Sequence, residues 1–424
     1  MTEGGARRAA AVCLLALFLP FAAASFALPR AAFMAEASAE TTGASETLGA
    51  EAASATEAAA ETAWMEAGAA TEAATEAAAE TAEAAASRGE AVAEVTTGRI
   101  LYERNGGRRL PMASTTKVVT ALAVIARGGL DETVVIPREA VGVEGSSVYL
   151  REGERWTVLD LLYGLLLRSG NDCAVALALH CDGSLDAFAE RMNALALACG
   201  AEDSRFVNPH GLPAAGHYTT ARDLCRIAAC ALRDETFRSI ASCRTHRVPD
   251  GGAGARVLHN KNKFLLDYEG ADGVKTGYTK EAGRCLVASA TRGGMRAVSV
   301  VLGCPDMYGH SAALLDAAFA RYRMRPLLRA ESYVRAVPAG SGGRTCRCAC
   351  AHSFSYPLAE GEEGLVRVAE ELPACLPLPV RAGQPVGNLQ IFFENQLIFS
   401  QKIVSIESVK KGFLDALREI AENY

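Results

Sequence analysis

The hydrophobic period changes twice along this chain, and that alternation restricts the fold more than any other feature. Residues 91–95 and 100–102 read as short strands around the Thr97-Gly98 turn. Apolar residues then recur at helical spacing over 114–126, 158–167, 172–179, 185–198 and 221–231. The period returns to strand-like over 273–278, 284–290 and 297–302, with Gly293-Gly294 as the turn between the last two. A helical stretch over 311–322 closes the run. Two strands, a helical block, three consecutive strands and a final helix describe an α+β domain: an antiparallel sheet flanked by helices, plus a helical lobe. From Pro326 onward, strand-like pieces at 333–337, 365–368, 389–393 and 397–406 are separated by Pro and Gly. They predict a small β-rich domain. A last helical pattern over 408–423 puts Val409, Phe413, Leu417 and Ile420 on one face, with Tyr424 just beyond it on the same side.

Upstream of the first strand the composition forbids a packed core. Between Arg30 and Arg88 there is no Lys or Arg, and residues 35–86 hold eleven Glu and no Asp in an Ala/Thr-rich background. A chain of one charge sign with Trp64 as its sole aromatic reads as a spacer. The remainder of the 424 residues then carries a small positive balance, without Lys/Arg runs, so nothing argues for nucleic acid. Before the spacer, Arg7 and Arg8 precede an apolar run over 9–21 and small residues at 22–24. The run is short against the ~20 residues of a spanning helix. It predicts a cleaved export signal. The expected organisation is a signal over 1–30, a linker over 31–88, a catalytic domain over 89–325, a small β domain over 326–406 and an amphipathic helix over 407–424. Among the thirteen cysteines, Cys173, Cys225 and Cys230 fall in apolar helical stretches and read as small buried hydrophobes. Cys346-x-Cys348-x-Cys350 admits a disulfide or a metal, although zinc ligands usually stand two to four residues apart.

Three short motifs carry chemistry. In Ser114-Thr-Thr-Lys117 the hydroxyl and the ammonium share one helix face. Alone, Ser114 reads as a helix N-cap. With a lysine of lowered pKa beside it, it reads as an activated nucleophile. Ser169-Gly-Asn171 follows a strongly apolar helix. It reads either as a capped loop or as a proton relay through Ser169, with Asn171 orienting Lys117 and a substrate amide. Lys275-Thr-Gly277, followed by Tyr278, reads as a strand edge or as a carboxylate clamp. In the second reading Lys275 gives charge, Thr276 a hydroxyl, Gly277 close approach for a substrate strand, and the Tyr278 backbone N–H half of an oxyanion hole with that of Ser114. The three motifs in this order are shared by β-lactamases and penicillin-binding proteins.

On these residues the chain resembles the low-molecular-mass penicillin-binding D-alanyl-D-alanine carboxypeptidases, serine peptidase family S11. The resemblance spans roughly 88–325 and extends more weakly to about 406. It includes the 97–105 hairpin, the 110–122 active-site helix, Phe206-Val-Asn-Pro-His-Gly-Leu212, Tyr218-Thr-Thr-Ala-Arg-Asp223, His259-Asn-Lys-Asn262 and Asp272-Gly-Val-Lys-Thr-Gly277. It implies a β-lactamase/transpeptidase-like fold. It also implies that Ser114 attacks the bond between the terminal D-alanines of peptidoglycan stem peptides, with Lys117 as base and Ser169 protonating the leaving amine. Lys275 and Thr276 would hold the terminal carboxylate, and β-lactam antibiotics would trap Ser114. Neither metal nor cofactor is implied. The family's location implies an exported protein, at the outer face of the cytoplasmic membrane or in the wall or periplasm, with the terminal helix as a peripheral membrane contact. Two departures stand out. Tyr278 occupies a position that is His in some members, and Lys261 one that is Arg in some, which loses a bidentate grip.

The nearest rival is a class A β-lactamase, which carries a Glu to activate the deacylating water. Ser204 stands where that Glu would be, with Glu202 and Asp203 close by. Non-catalytic wall binding is a second alternative, and endopeptidase action on cross-links a third.

Overall fold

The computed structural model describes residues 87–249, 255–340 and 343–413. The expected signal, nearly all of the expected linker and residues 414–424 lie outside these.

The expected alternation is present. Strands β1 (Gly89–Glu94) and β2 (Ile100–Arg104) lead into a 3-10 turn, Ala113–Thr116, and helix α1 (Lys117–Arg127). Helices α2 (Val158–Leu167), α3 (Asn171–Asp182), α4 (Leu185–Ala198), α5 (Ala221–Arg233) and α6 (Glu235–Ser242) follow. Strands β3 (Ala271–Thr279), β4 (Gly283–Arg292) and β5 (Met295–Leu302) and helix α7 (Met307–Arg321) complete the domain. The sheet runs β2-β1-β5-β4-β3, with every neighbouring pair antiparallel. Strand alternation sorts its side chains onto two faces. Ala91, Ala93, Val287, Val298 and Val300 join the core shared with α1–α6, while Val92, Leu286, Ala288 and Val301 meet α7.

Local chemistry starts most of the helices. Thr157, Ser184, Thr220 and Asp234 each accept a backbone N–H three residues on, which satisfies a free donor of the first turn. Helix α1 differs. Neither Met112 before the 3-10 turn nor Thr116 at its end makes a side-chain cap. Its residues from Lys117 to Val124 are all buried, so it threads the centre of the domain rather than lining its surface. That placement buries Lys117.

The C-terminal part holds a second sheet. Strands β6 (Tyr322–Leu328), β7 (Val334–Ala339), β8 (Arg344–Cys350), β9 (Phe354–Ala359), β10 (Val366–Glu371), β11 (Pro385–Phe393) and β12 (Gln396–Ser405) form a β6-β9 pair and a five-stranded sheet ordered β7-β8-β12-β11-β10. Strand β6 runs through the junction expected at 325/326. Arg99, in the β1–β2 turn, ties the two parts together. It bonds both Glu362 carboxylate oxygens at 2.8 Å and lies 4.4 Å over the Phe393 ring.

Several expectations need correction. Cys346, Cys348 and Cys350 alternate along β8, so the strand period puts all three thiols on its buried face. They are packing residues with free thiols. The terminal helical pattern does not begin at 408. Val409 exchanges two 2.9 Å backbone hydrogen bonds with Val380 and packs on the β core. The rest of that pattern lies beyond the described residues. Tyr322 starts a strand rather than ending a helix. No helix among the described residues is long and apolar enough to cross a membrane.

Candidate active site

The 3-10 turn that opens α1 presents Ser114 at the meeting point of the sheet and the helical lobe. The preceding residue, Ala113, holds φ +50°, a left-handed conformation uncommon for a residue with a Cβ. Lys117 lies one turn on, and its Nζ is 3.1 Å from Ser114 Oγ. Two further groups surround that nitrogen: Asn171 Oδ1 at 2.6 Å and the His210 carbonyl at 2.6 Å. Both are pure acceptors, so each takes an N–H. Only the third direction, toward Ser114, is left for a lone pair.

The orientation of Asn171 is fixed from its other end. Its Nδ2 donates to the Glu144 carbonyl at 2.5 Å, which leaves Oδ1 for Lys117. Its backbone N–H donates to Ser146 O at 2.7 Å. The next residue, Asp172, pins the same loop, accepting from Ser147 Oγ at 2.5 Å and from the Val148 and Leu150 amides at 3.0 and 3.2 Å. Ser169 is buried in the turn before α3 at φ +61°. No hydrogen bond joins its hydroxyl to Lys117 among the described residues.

The third motif lies alongside the Ser114 turn. A Cβ on Gly277 would stand 3.0 Å from Ser114 N and 3.1 Å from Met112 O. The glycine therefore packs tightly against the turn that carries Ser114, whereas the sequence pattern alone assigns it to a substrate strand. Lys275 is buried and donates to the Thr276 carbonyl at 2.8 Å. Tyr278 is 66 % exposed.

Charge in this site is depressed. Burial, reinforced by Lys275, holds the Lys117 ammonium well below the usual lysine range. Burial, then the charge of Lys261, brings Lys275 down to about 7. Two buried lysines thus influence one another here, both holding their protons more weakly than in water.

Sequence reasoning named the 206–212 stretch but gave it no site role, and the structure packs it and His217 against the Ala113–Lys117 turn. His210 contributes only its backbone oxygen. Gly211, at φ +91°, lies so close that a Cβ would come within 1.9 Å of Ala113 O. His217 bonds Thr116 Oγ1 at 2.9 Å. The rival Glu position is occupied differently. Ser204 Oγ bonds Asp223 at 2.9 Å, and Asp203 pairs with Arg109 at 2.7 Å near the surface.

Comparison with known proteins agrees with this geometry. The family profile described as D-alanyl-D-alanine carboxypeptidase, peptidase S11, matches residues 74–306. The profile for the penicillin-binding protein 5 C-terminal domain matches 322–411. The D-alanyl-D-alanine carboxypeptidase DacF of Bacillus subtilis is 31% identical over 78% of this chain and 88% of its own length. The D-alanyl-D-alanine carboxypeptidase DacC of Escherichia coli is 29% identical over 77% of this chain and 85% of its own. The crystal structure of penicillin binding protein 5 from Haemophilus influenzae superposes with a TM-score of 0.62 at 28% identity, covering 77% of this chain and 98% of that one. With the serine–lysine pair, the Ser169–Asn171 turn and the Lys275–Gly277 strand assembled in one site, the chain belongs to the D-alanyl-D-alanine carboxypeptidase family, peptidase S11.

Proposed function

We propose that this protein is a serine-type D-Ala-D-Ala carboxypeptidase that removes the terminal D-alanine from peptidoglycan stem pentapeptides. The observation that carries this reading is the surround of Lys117 Nζ. Its two N–H acceptors are Asn171 and His210, and its remaining direction faces Ser114 Oγ.

In the neutral amine, the lone pair takes the Ser114 proton as the hydroxyl oxygen attacks the scissile carbonyl. The backbone N–H groups of Ser114 and Tyr278 hold the developing oxyanion. Lys275 and Thr276 bind the terminal carboxylate, one through charge and the other through a hydroxyl hydrogen bond. The amine of the leaving D-alanine receives its proton from Lys117 by way of Ser169. Water then hydrolyses the acyl-enzyme. β-Lactam antibiotics present a strained amide in place of the dipeptide and leave a slow adduct on Ser114. The absence of a carboxylate at Ser204, and its tie to Asp223, favour slow rather than fast deacylation.

The protein acts outside the cytoplasmic membrane, where its substrate lies. We also propose a peripheral membrane contact through residues 407–424, supported by Phe413, which is 78 % exposed. Deleting 407–424 should release the protein from the membrane fraction; unchanged partition would remove that assignment.

Release of D-alanine from a D-Ala-D-Ala peptide by wild type and by Ser114→Ala tests the main proposal. The wild type should release it and the variant should not. Equal release by both would overturn it.

A further inference from the structure

His217 lies outside the three motifs, yet it bridges the nucleophile's turn and the segment above it. It is 7 % exposed, and its ring makes two hydrogen bonds. The Val207 backbone N–H reaches Nδ1 at 3.1 Å. A backbone N–H can only donate, so Nδ1 is the acceptor and the neutral ring carries its proton on Nε2. Nε2 therefore donates to Thr116 Oγ1 at 2.9 Å. The Thr116 hydroxyl, having accepted, donates onward to the Ala113 carbonyl at 2.9 Å. The direction of every bond in this chain is fixed: Val207 to His217, His217 to Thr116, Thr116 to Ala113.

The end of the chain is the residue that sets Ser114. Ala113 occupies its left-handed conformation at φ +50°, which costs free energy and persists only where surrounding contacts hold it. Two contacts fall on its carbonyl: the Thr116 hydroxyl and the close backbone approach of Gly211. Gly211 and Val207 belong to one segment, and the His210 carbonyl between them accepts from Lys117. The segment thus holds the base directly and the nucleophile's turn through His217. The buried Phe206 ring packs edge-on to the imidazole at 6.0 Å.

We infer that His217 is a positioning residue for the reaction, an obligate donor through Nε2 that locks the Ala113–Thr116 turn and so aims Ser114 Oγ at Lys117. This rests on the reading of Ser114 as nucleophile. Its contribution falls on the acylation step, because none of the proposed substrate-binding groups touches His217.

Two variants separate the role from simple packing. His217→Gln places an amide N–H where Nε2–H lies and keeps the donation to Thr116. His217→Asn is shorter, retaining an acceptor near Val207 but losing the donor. Thr116→Val removes the same link from the other side. Acylation rate with a fluorescent penicillin, KM and kcat for D-alanine release, and thermal midpoint are measured for all, with Ser114→Ala alongside. The expected result is a loss of about tenfold or more in acylation rate and kcat for His217→Asn and Thr116→Val, with KM nearly unchanged. His217→Gln recovers most of the rate. Wild-type acylation in His217→Asn, or a His217→Gln variant as slow as His217→Asn, would overturn the inference while leaving the nucleophile assignment intact, provided Ser114→Ala is inactive. Activity in Ser114→Ala would overturn both.

Discussion

Lys117 Nζ stands 3.1 Å from Ser114 Oγ and 2.6 Å from each of two carbonyl-type oxygens, on Asn171 and His210. A protonated ammonium would satisfy all three by donating. A neutral amine satisfies the two carbonyls and turns its lone pair to the hydroxyl. Burial favours the second state, since it penalises the cation and no carboxylate bonds this nitrogen directly.

In the proposed mechanism the pH dependence of catalysis follows from the two lysines. Lys117 must be neutral to act as base, so activity rises with pH through a pKa well below the ordinary lysine range. Lys275 must be charged to bind a carboxylate, so KM rises as pH climbs past its value of about 7. The kcat/KM profile is therefore bell-shaped, its two limbs belonging to the interacting pair. Lys275→Ala should raise KM and abolish the alkaline rise in KM. Lys117→Ala should lower acylation by roughly 10²–10⁴-fold, the usual range for a lost general base. A profile still rising at pH 10 would contradict these assignments.

Acid stability should be governed in part by His210 and His217. Burial, with Lys117 adding to it for His210, lowers both rings from 6.5 to about 4. The folded state then binds protons less readily than the unfolded chain. Stability from this source is complete above pH 6.5 and is lost as pH falls toward 4, on the order of 3 kcal/mol per ring at full effect. Denaturant unfolding at pH 7 and pH 4.5 measures it. His217→Gln should lose less stability over that interval than wild type; an identical loss would contradict the prediction.

Gly211→Ala should be among the most damaging single-methyl additions. The new Cβ would meet the Ala113 carbonyl at 1.9 Å, and the φ of +91° disfavours any side chain. Relief requires moving either the Lys117 acceptor or the turn bearing Ser114. A destabilisation of about 2 kcal/mol or more, with loss of penicillin labelling, is expected. Gly142→Ala serves as a control, because its φ is also positive but nothing lies within 4 Å of where its Cβ would stand. Equal labelling in both would contradict the packing argument.

Cys199 and Cys230 should cross-link under mild oxidation. The neighbouring Cys230 thiol, with burial, pushes the Cys199 thiol up, and Cys199 beside it brings the Cys230 thiol down to about 7. On the same face of α5, Arg226 bonds Gly200 O at 2.6 Å and Asp223 accepts from Asp203 N at 2.7 Å, so the two segments are held together along their length. Oxidised glutathione should yield a 199–230 disulfide by peptide mapping, while fully buried Cys173 and Cys225 stay reduced. A mixture of pairings, or none, would contradict this.

What could be read in the sequence was side-chain chemistry and period. The motif residues Ser114, Lys117, Asn171 and Lys275 stood out because the role proposed for each lies in its side chain. His210 was invisible as a site residue because its contribution is a backbone carbonyl, which every residue has. The conformation of Ala113 was invisible for a related reason: Gly211, distant in sequence, packs against its carbonyl. Gly277 was recognised, but its neighbour is the Ser114 turn, a long-range contact that no local pattern encodes. In the β domain, Thr345, Arg347 and Ala349 between the cysteines already displayed strand alternation, yet the thiols drew attention to ligand chemistry instead. Strands β6 and β9 escaped because Pro326 and Pro357 interrupt them.

The most direct measurement is mass spectrometric mapping of the protein after brief exposure to penicillin. A penicilloyl adduct on the peptide carrying Ser114, persisting for minutes, absent from Ser114→Ala and paralleled by loss of D-alanine release, is the expected result. An adduct on another residue, or penicillin hydrolysed rapidly without any adduct, would contradict the assignment of Ser114 as the nucleophile of a carboxypeptidase.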